Sequence, residues 1–159
     1  MEKVAIFVDV QNIYYTTKQR FQANFDYNKF WAKVNYQFDI ASAHAYAIAT
    51  QDPKQRQFHH ILRGIGFKVC LKPLIQRMDG SAKGDWDVGI ALDVYEAASG
   101  VDRVILLSGD GDFEMLVERV QQRFNTKVDV YSVADLTAQN LIDVCDRYVA
   151  IDDELLIQR

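Results

Sequence analysis

Four aspartates in this chain of 159 residues stand where carboxylates could gather around a cation: Asp9, Asp87, Asp110 and Asp112. Asp9 closes the apolar run of residues 4–8, and Asp110 follows the apolar run 104–107 by way of Ser108 and Gly109. Asp112 comes two positions later. A lone aspartate after a strand caps a helix or makes a turn more often than it binds a metal. Two strand-end acids with a third close by shift that balance. Asp87 adds the most. On a helical wheel of about 100° per residue it shares a face with Ala91, Val94 and Ala98, whereas Asp85, Gly89 and Glu96 lie opposite. The helix dipole favours a first-turn acid by up to about 1 kcal/mol at an exposed site. It does not account for one on the core-facing stripe, where an unpaired charge is costly.

If the four converge, each pair repels by about 1 kcal/mol at ~4 Å in water and by about 4 kcal/mol at an effective dielectric of ~20. A divalent cation reverses that sign. A donor set of carboxylates alone selects hard ions, so Mg²⁺ or Mn²⁺ is expected and zinc is not. The other metal-binding types agree: His59 and His60 are adjacent, His44 is alone, and Cys70 and Cys145 sit far apart in apolar settings. That pattern gives neither zinc spacing nor a disulfide framework. A hard cation held this way can bind a phosphate oxygen and activate a water, which is the chemistry of phosphodiester hydrolysis.

Such acids need strand ends to stand on. Five runs rich in β-branched residues read as strands, at 4–8, 43–49, 67–71, 104–107 and 128–133. Helices are expected between them: one from near Asn12, one over 28–38, one capped by Asp52 with Pro53 in its first turn and ending at Gly64 or Gly66, then 85–99, 112–124 and 136–147. Strands alternating with helices of this length imply βαβ crossovers, hence an α/β, doubly wound, largely parallel five-stranded sheet with helices on both faces. In such sheets ligands collect beyond the carboxyl ends of the strands, where strand order reverses. The length fits a single domain over 1–159, and the segment 76–84, with two glycines, reads as its one flexible stretch.

The net charge of −4 is unevenly spread: residues 54–83 are rich in lysine and arginine against Asp79, and residues 85–118 are rich in acids against Arg103. A basic flank beside an acidic site suits a polyanionic substrate, although two ordinary solvated surfaces would look the same. No apolar run approaches the roughly 20 residues of a membrane span. The N-terminus lacks a signal-peptide pattern, so no membrane partner and a cytoplasmic location are expected. The aromatic stretch 21–38 could serve a homodimer interface or pack on the sheet.

Three segments resemble the NYN domain family, a PIN-like nuclease group, and within it the LabA-like branch: residues 6–12 (IFVDVQN), 83–93 (KGDWDVGIALD) and 107–113 (LSGDGDF). The resemblance spans about residues 3–133 and implies a PIN-like strand order of 3-2-1-4-5, with Asp9 and Asp110 on neighbouring strands. It implies RNA as substrate, and cleavage that leaves a 5′-phosphate. By the same resemblance Asp9, Asp87, Asp110 and Asp112 would hold the metal, and Asn12 and Ser108 would position a carboxylate, water or phosphate oxygen. Asp93 also matches, but its place at the edge of the apolar stripe favours a supporting role. Lys83 and Arg77 could meet the RNA backbone or belong to a solvated loop. Tyr14, Tyr15 and Phe113 could stack bases, though aromatics at helical spacing more often belong to a core.

Two other readings stay open. The segment Gly109-Asp110-Gly111-Asp112 superficially resembles the late acidic motif of haloacid dehalogenase phosphatases, but the nucleophile motif of that family needs a second aspartate at position 11, where this chain has Gln11. The LabA-like branch is also associated with regulation, so a non-catalytic RNA- or protein-binding regulator that keeps the metal site fits the same residues.

Overall fold

The computed structural model describes residues 1–73 and 85–157, with the backbone of 75–76 and 82–83. The central strand is β1 (Lys3–Asp9), whose interior is fully buried because helices cover both of its faces. Val4, Ile6 and Val8 point to one side and meet Ile13, Phe30, Val34 and Leu62, from α1 (Val10–Phe21), α2 (Tyr27–Gln37) and α3 (Pro53–Ile65). Ala5 and Phe7 point to the other and meet Ile90 and Val94 of α4 (Asp87–Ala98) and Val117 and Val120 of α5 (Glu114–Phe124). The period of two along one strand thus feeds two cores, and each large apolar side chain buried there contributes about 1.5–3 kcal/mol.

The other strands are β2 (Asp39–Ile48), β3 (Lys68–Lys72), β6 (Arg103–Leu107), β7 (Lys127–Ser132) and β8 (Arg147–Ala150). Among the described residues the sheet runs β3-β2-β1-β6-β7-β8, every pair parallel. The expected order 3-2-1-4-5 is present, but the sheet has six strands rather than five. The sixth comes from the tail of the segment expected to be one helix: α6 covers only Gln139–Val144, and Arg147–Ala150 then pairs with Asp129 to Ser132. Part of what draws it in is Asp129, fully buried on β7 with Arg103 against it from β6 and Arg147 from β8. A buried carboxylate needs such partners, and Arg147 could not supply one from a helix continuing outward.

Of the stretch expected to be flexible, 76–84, Gln76 belongs to β4 (Ile75–Gln76) and Ala82 and Lys83 form β5 (Ala82–Lys83), the two pairing in a small antiparallel ribbon, and its other residues lie outside the described ones. Among the described residues, no helix is long and apolar enough to cross a membrane.

The winding direction reverses between β1 and β6. From β1 the chain moves through β2 to β3, then returns by α4 to the other side of β1. The loops leaving β1 and β6 therefore part company at their carboxyl ends and leave a crevice between them, with Val8 and Leu107 as the last paired residues.

Candidate metal centre

The four carboxylates enter the crevice from three places, the end of β1, the start of α4 and the turn after β6 that carries both Asp110 and Asp112. Asp9 is at once the last residue of β1 and the cap of α1, accepting from the Asn12 backbone N–H at 3.4 Å. Asp110 caps the 3-10 turn Gly111–Phe113, its Oδ1 accepting from the Asp112 N–H at 2.9 Å. Asp87 is the first residue of α4, half-buried on the stripe that carries Ile90, Val94 and Ala98. Asp87 thus faces inward as the wheel reading expected, but Ile90 rather than Ala91, which is only half-buried, completes the buried stripe. Asp85 differs: it precedes the helix rather than occupying its first turn, and its carboxylate accepts from the Asp87 N–H at 3.4 Å.

Asp87, Asp110 and Asp112 each offer an oxygen within 4.8 Å of the others. Asp9 stands beside this trio rather than within it, joined by Ser108, whose hydroxyl donates to Asp9 Oδ2 at 3.2 Å and accepts from the Asp110 N–H at 3.2 Å. Asn12 acts on the same loop, its Oδ1 accepting from the Gly109 N–H at 3.0 Å. Asn12 and Ser108 thus stitch the end of β1 to the end of β6. Arg77 lies outside the described residues, and only the backbone of Lys83 lies inside them.

The supporting contacts were less legible. Asn140 donates to the Gly111 carbonyl at 3.1 Å, and a Cβ on Gly111 would lie 2.7 Å from that of Ala138, so only glycine permits this approach. Trp86 donates its indole N–H to the Ala47 carbonyl at 2.8 Å, pinning the start of α4 over the end of β2. About two turns on, the Tyr46 hydroxyl donates to Asp93 at 2.7 Å, which gives Asp93 a supporting contact away from the trio. The motif match at Asp93 was its only signal; Asn140 and Tyr46 gave none. Phe113 is core, whereas Tyr14 and Tyr15 are exposed, against the expectation for aromatics at helical spacing.

Electrostatics follow from crowding. Burial pushes the Asp9 carboxyl up to about 6, opposed by the Asn12 N–H and the Ser108 hydroxyl and reinforced by Asp110 and Asp85. Asp87 is pushed up to about 7 by burial first, then by its hydrogen bond with Asp110 and by the charges of Asp110, Asp9 and Asp85. Among the described residues no lysine or arginine pairs with any of the four. Acids driven toward neutrality for want of a counter-charge, with oxygens this close, fit a hard divalent cation.

A family model for the NYN domain matches residues 3–152. The chain belongs to the NYN domain family. NYN domains are generally nucleases that act on RNA, and nucleases of this kind use divalent metals. It is 28% identical to the low amplitude and bright protein LabA of Synechococcus elongatus, over 95% of this chain and 84% of that protein. A crystal structure of a protein of unknown function from Vibrio parahaemolyticus is 65% identical, with a TM-score of 0.94 and coverage of 98% of this chain and 96% of that one. Ribokinase from Giardia lamblia, 14% identical with a TM-score of 0.50 over 80% of this chain and 46% of its own, shares the fold alone.

Proposed function

We propose that this NYN domain, acting as one unit, is a ribonuclease that hydrolyses phosphodiester bonds with Mg²⁺ or Mn²⁺. The observation that carries the reading is the trio of Asp87, Asp110 and Asp112, uncompensated by any cation among the described residues, at the reversal point of the sheet. A cation bound there would supply Lewis acidity toward a phosphate oxygen and lower the pKa of a water. Asp87, Asp110 and Asp112 would hold it. Asp9 would complete the set, because each of its oxygens spends only one lone pair on Asn12 or Ser108. Ser108 and Asn12 orient: they fix the Asp9 carboxylate and the Gly109 amide, so that the acids from β1 and β6 keep one geometry.

The test is cleavage of a mixed RNA pool by the purified protein with Mn²⁺ or Mg²⁺, against EDTA and against Asp110→Asn. Metal-dependent cleavage lost in the variant is expected. Metal binding without cleavage would leave a regulator that retains the site and sink the enzymatic reading.

A further inference from the structure

A groove opens beside the residues that follow Asp9, and its chemistry is opposite in sign to that of the acid trio. Three adjoining cavities, of about 280, 290 and 560 Å³, share Tyr14 and Phe58 between the first and second and Thr50 and His59 between the second and third. The middle cavity abuts the acid site twice: Val10 and Gln11 directly follow Asp9, and Ala47 is the residue whose carbonyl holds Trp86 beside Asp87. Among the described residues no aspartate or glutamate lines any of the three, although the chain as a whole carries a net charge of −4. Their cations are Lys18 and Lys54 at one end and Arg56 and Arg63 at the other. Among the described residues none of these four is in an ion pair.

The aromatic lining is the second observation. α1 buries Val10, Ile13 and Thr17 and turns Tyr14 and Tyr15 outward, 43% and 62% exposed, with ring centroids 5.4 Å apart and planes at 80°. Two exposed tyrosines side by side have no packing reason to be there. The Lys18 ammonium lies 5.9 Å from the centre of the Tyr14 ring, and exposed rings set among cations without ion pairs suit a chain that carries a flat ring and a negative charge at every unit.

Resting on the ribonuclease reading, we infer that this groove is the track of single-stranded RNA. Tyr14 and Tyr15 stack bases next to the acid trio, and Lys18, Lys54, Arg56 and Arg63 take the phosphates on either side. A duplex fits poorly because its base faces are already stacked.

The experiment follows the anisotropy of a 5′-fluorescein dodecamer of uridylate with the full chain in EDTA, over a range of salt, and cleavage in Mn²⁺ separately. Tyr14→Ala with Tyr15→Ala should weaken binding about ten-fold or more with the salt slope unchanged. Tyr14→Phe with Tyr15→Phe keeps the stacking faces and should bind as the wild type does. Lys18→Ala with Lys54→Ala should lower the salt slope by about 0.7 per charge, while Lys127→Ala, exposed at the far end of the sheet, should leave binding unchanged. Unaltered binding by the tyrosine-to-alanine pair overturns the track, as does equal affinity for duplex. Sedimentation showing a dimer that the same pair dissociates would also overturn it, making the groove a contact between copies. Binding that follows these rules without cleavage by the wild type sinks the ribonuclease reading and keeps the track. Cleavage with tyrosine-independent binding does the converse.

Discussion

Asp110 works in two directions: its Oδ1 holds the Asp112 amide, and its charge raises both Asp9 and Asp87. Asp110→Asn keeps an oxygen for the cap and removes one repelling charge. The variant should therefore melt at or above the metal-free wild type, yet gain little from millimolar Mn²⁺, which should stabilise the wild type by binding only its folded form. Marked destabilisation with an undiminished metal response would make Asp110 a turn residue. The pH dependence follows from the raised acids. A carboxyl whose pKa is higher in the folded state adds stability below its ordinary pKa, and that contribution is lost as pH rises through the folded value. For Asp9 and Asp87 the window runs from the ordinary 3.8 to about 6 and about 7. Asp87→Asn mimics the protonated acid, so in EDTA its melting temperature relative to wild type should climb from about pH 4 to about pH 8. A flat difference would mean that Asp87 is not under this strain.

At the scale of elements, the start of α4 is set by Trp86. A Cβ on Gly89 would lie 2.6 Å from the Trp86 ring, so Gly89→Ala should displace the indole from Ala47 and carry Asp87 with it. The expected result is a folded protein with a weakened Mn²⁺ response in thermal melts; an unchanged response would show that Trp86 does not place Asp87. At the opposite end, Asp129→Ala leaves Arg103 and Arg147 facing a buried gap and should cost about 3–5 kcal/mol in urea unfolding. A cost under about 1 kcal/mol would mean that water already screens the group. These elements also mark what the sequence could and could not say. The β1 and β6 runs, and the stripe behind Asp87, announced themselves because an unbroken apolar run, or apolar residues at helical spacing over several turns, is set by burial. β8 did not: four residues, Arg147 to Ala150, are too few to separate strand from helix end, and what holds them is partly a charge on another strand. Asp85 was misplaced by a different cause, since a long-range indole contact rather than a cap sets the first turn of α4.

The whole molecule is organised around one seam. β1 and β6 lie side by side although Asp9 and Ser108 are 99 positions apart, so the centre exists only when the pairing most distant in sequence within the six-stranded sheet has formed. Such non-local, all-parallel pairing folds slowly. In stopped-flow refolding, quenching of tryptophan fluorescence by Mn²⁺ should return only with the phase that restores native near-UV signal; a metal response from an early species would show that the acids gather without the seam. The same separation has a meaning during synthesis. Ribosomes release Asp9 long before Asp87, Asp110 and Asp112, and a nascent chain that stops short of β6 lacks Asp110, Asp112 and the strand that sets them beside Asp9. If the chain cuts RNA as proposed, a protein built on RNA is kept from attacking messenger and ribosome until β6 and the turn that follows it have joined β1.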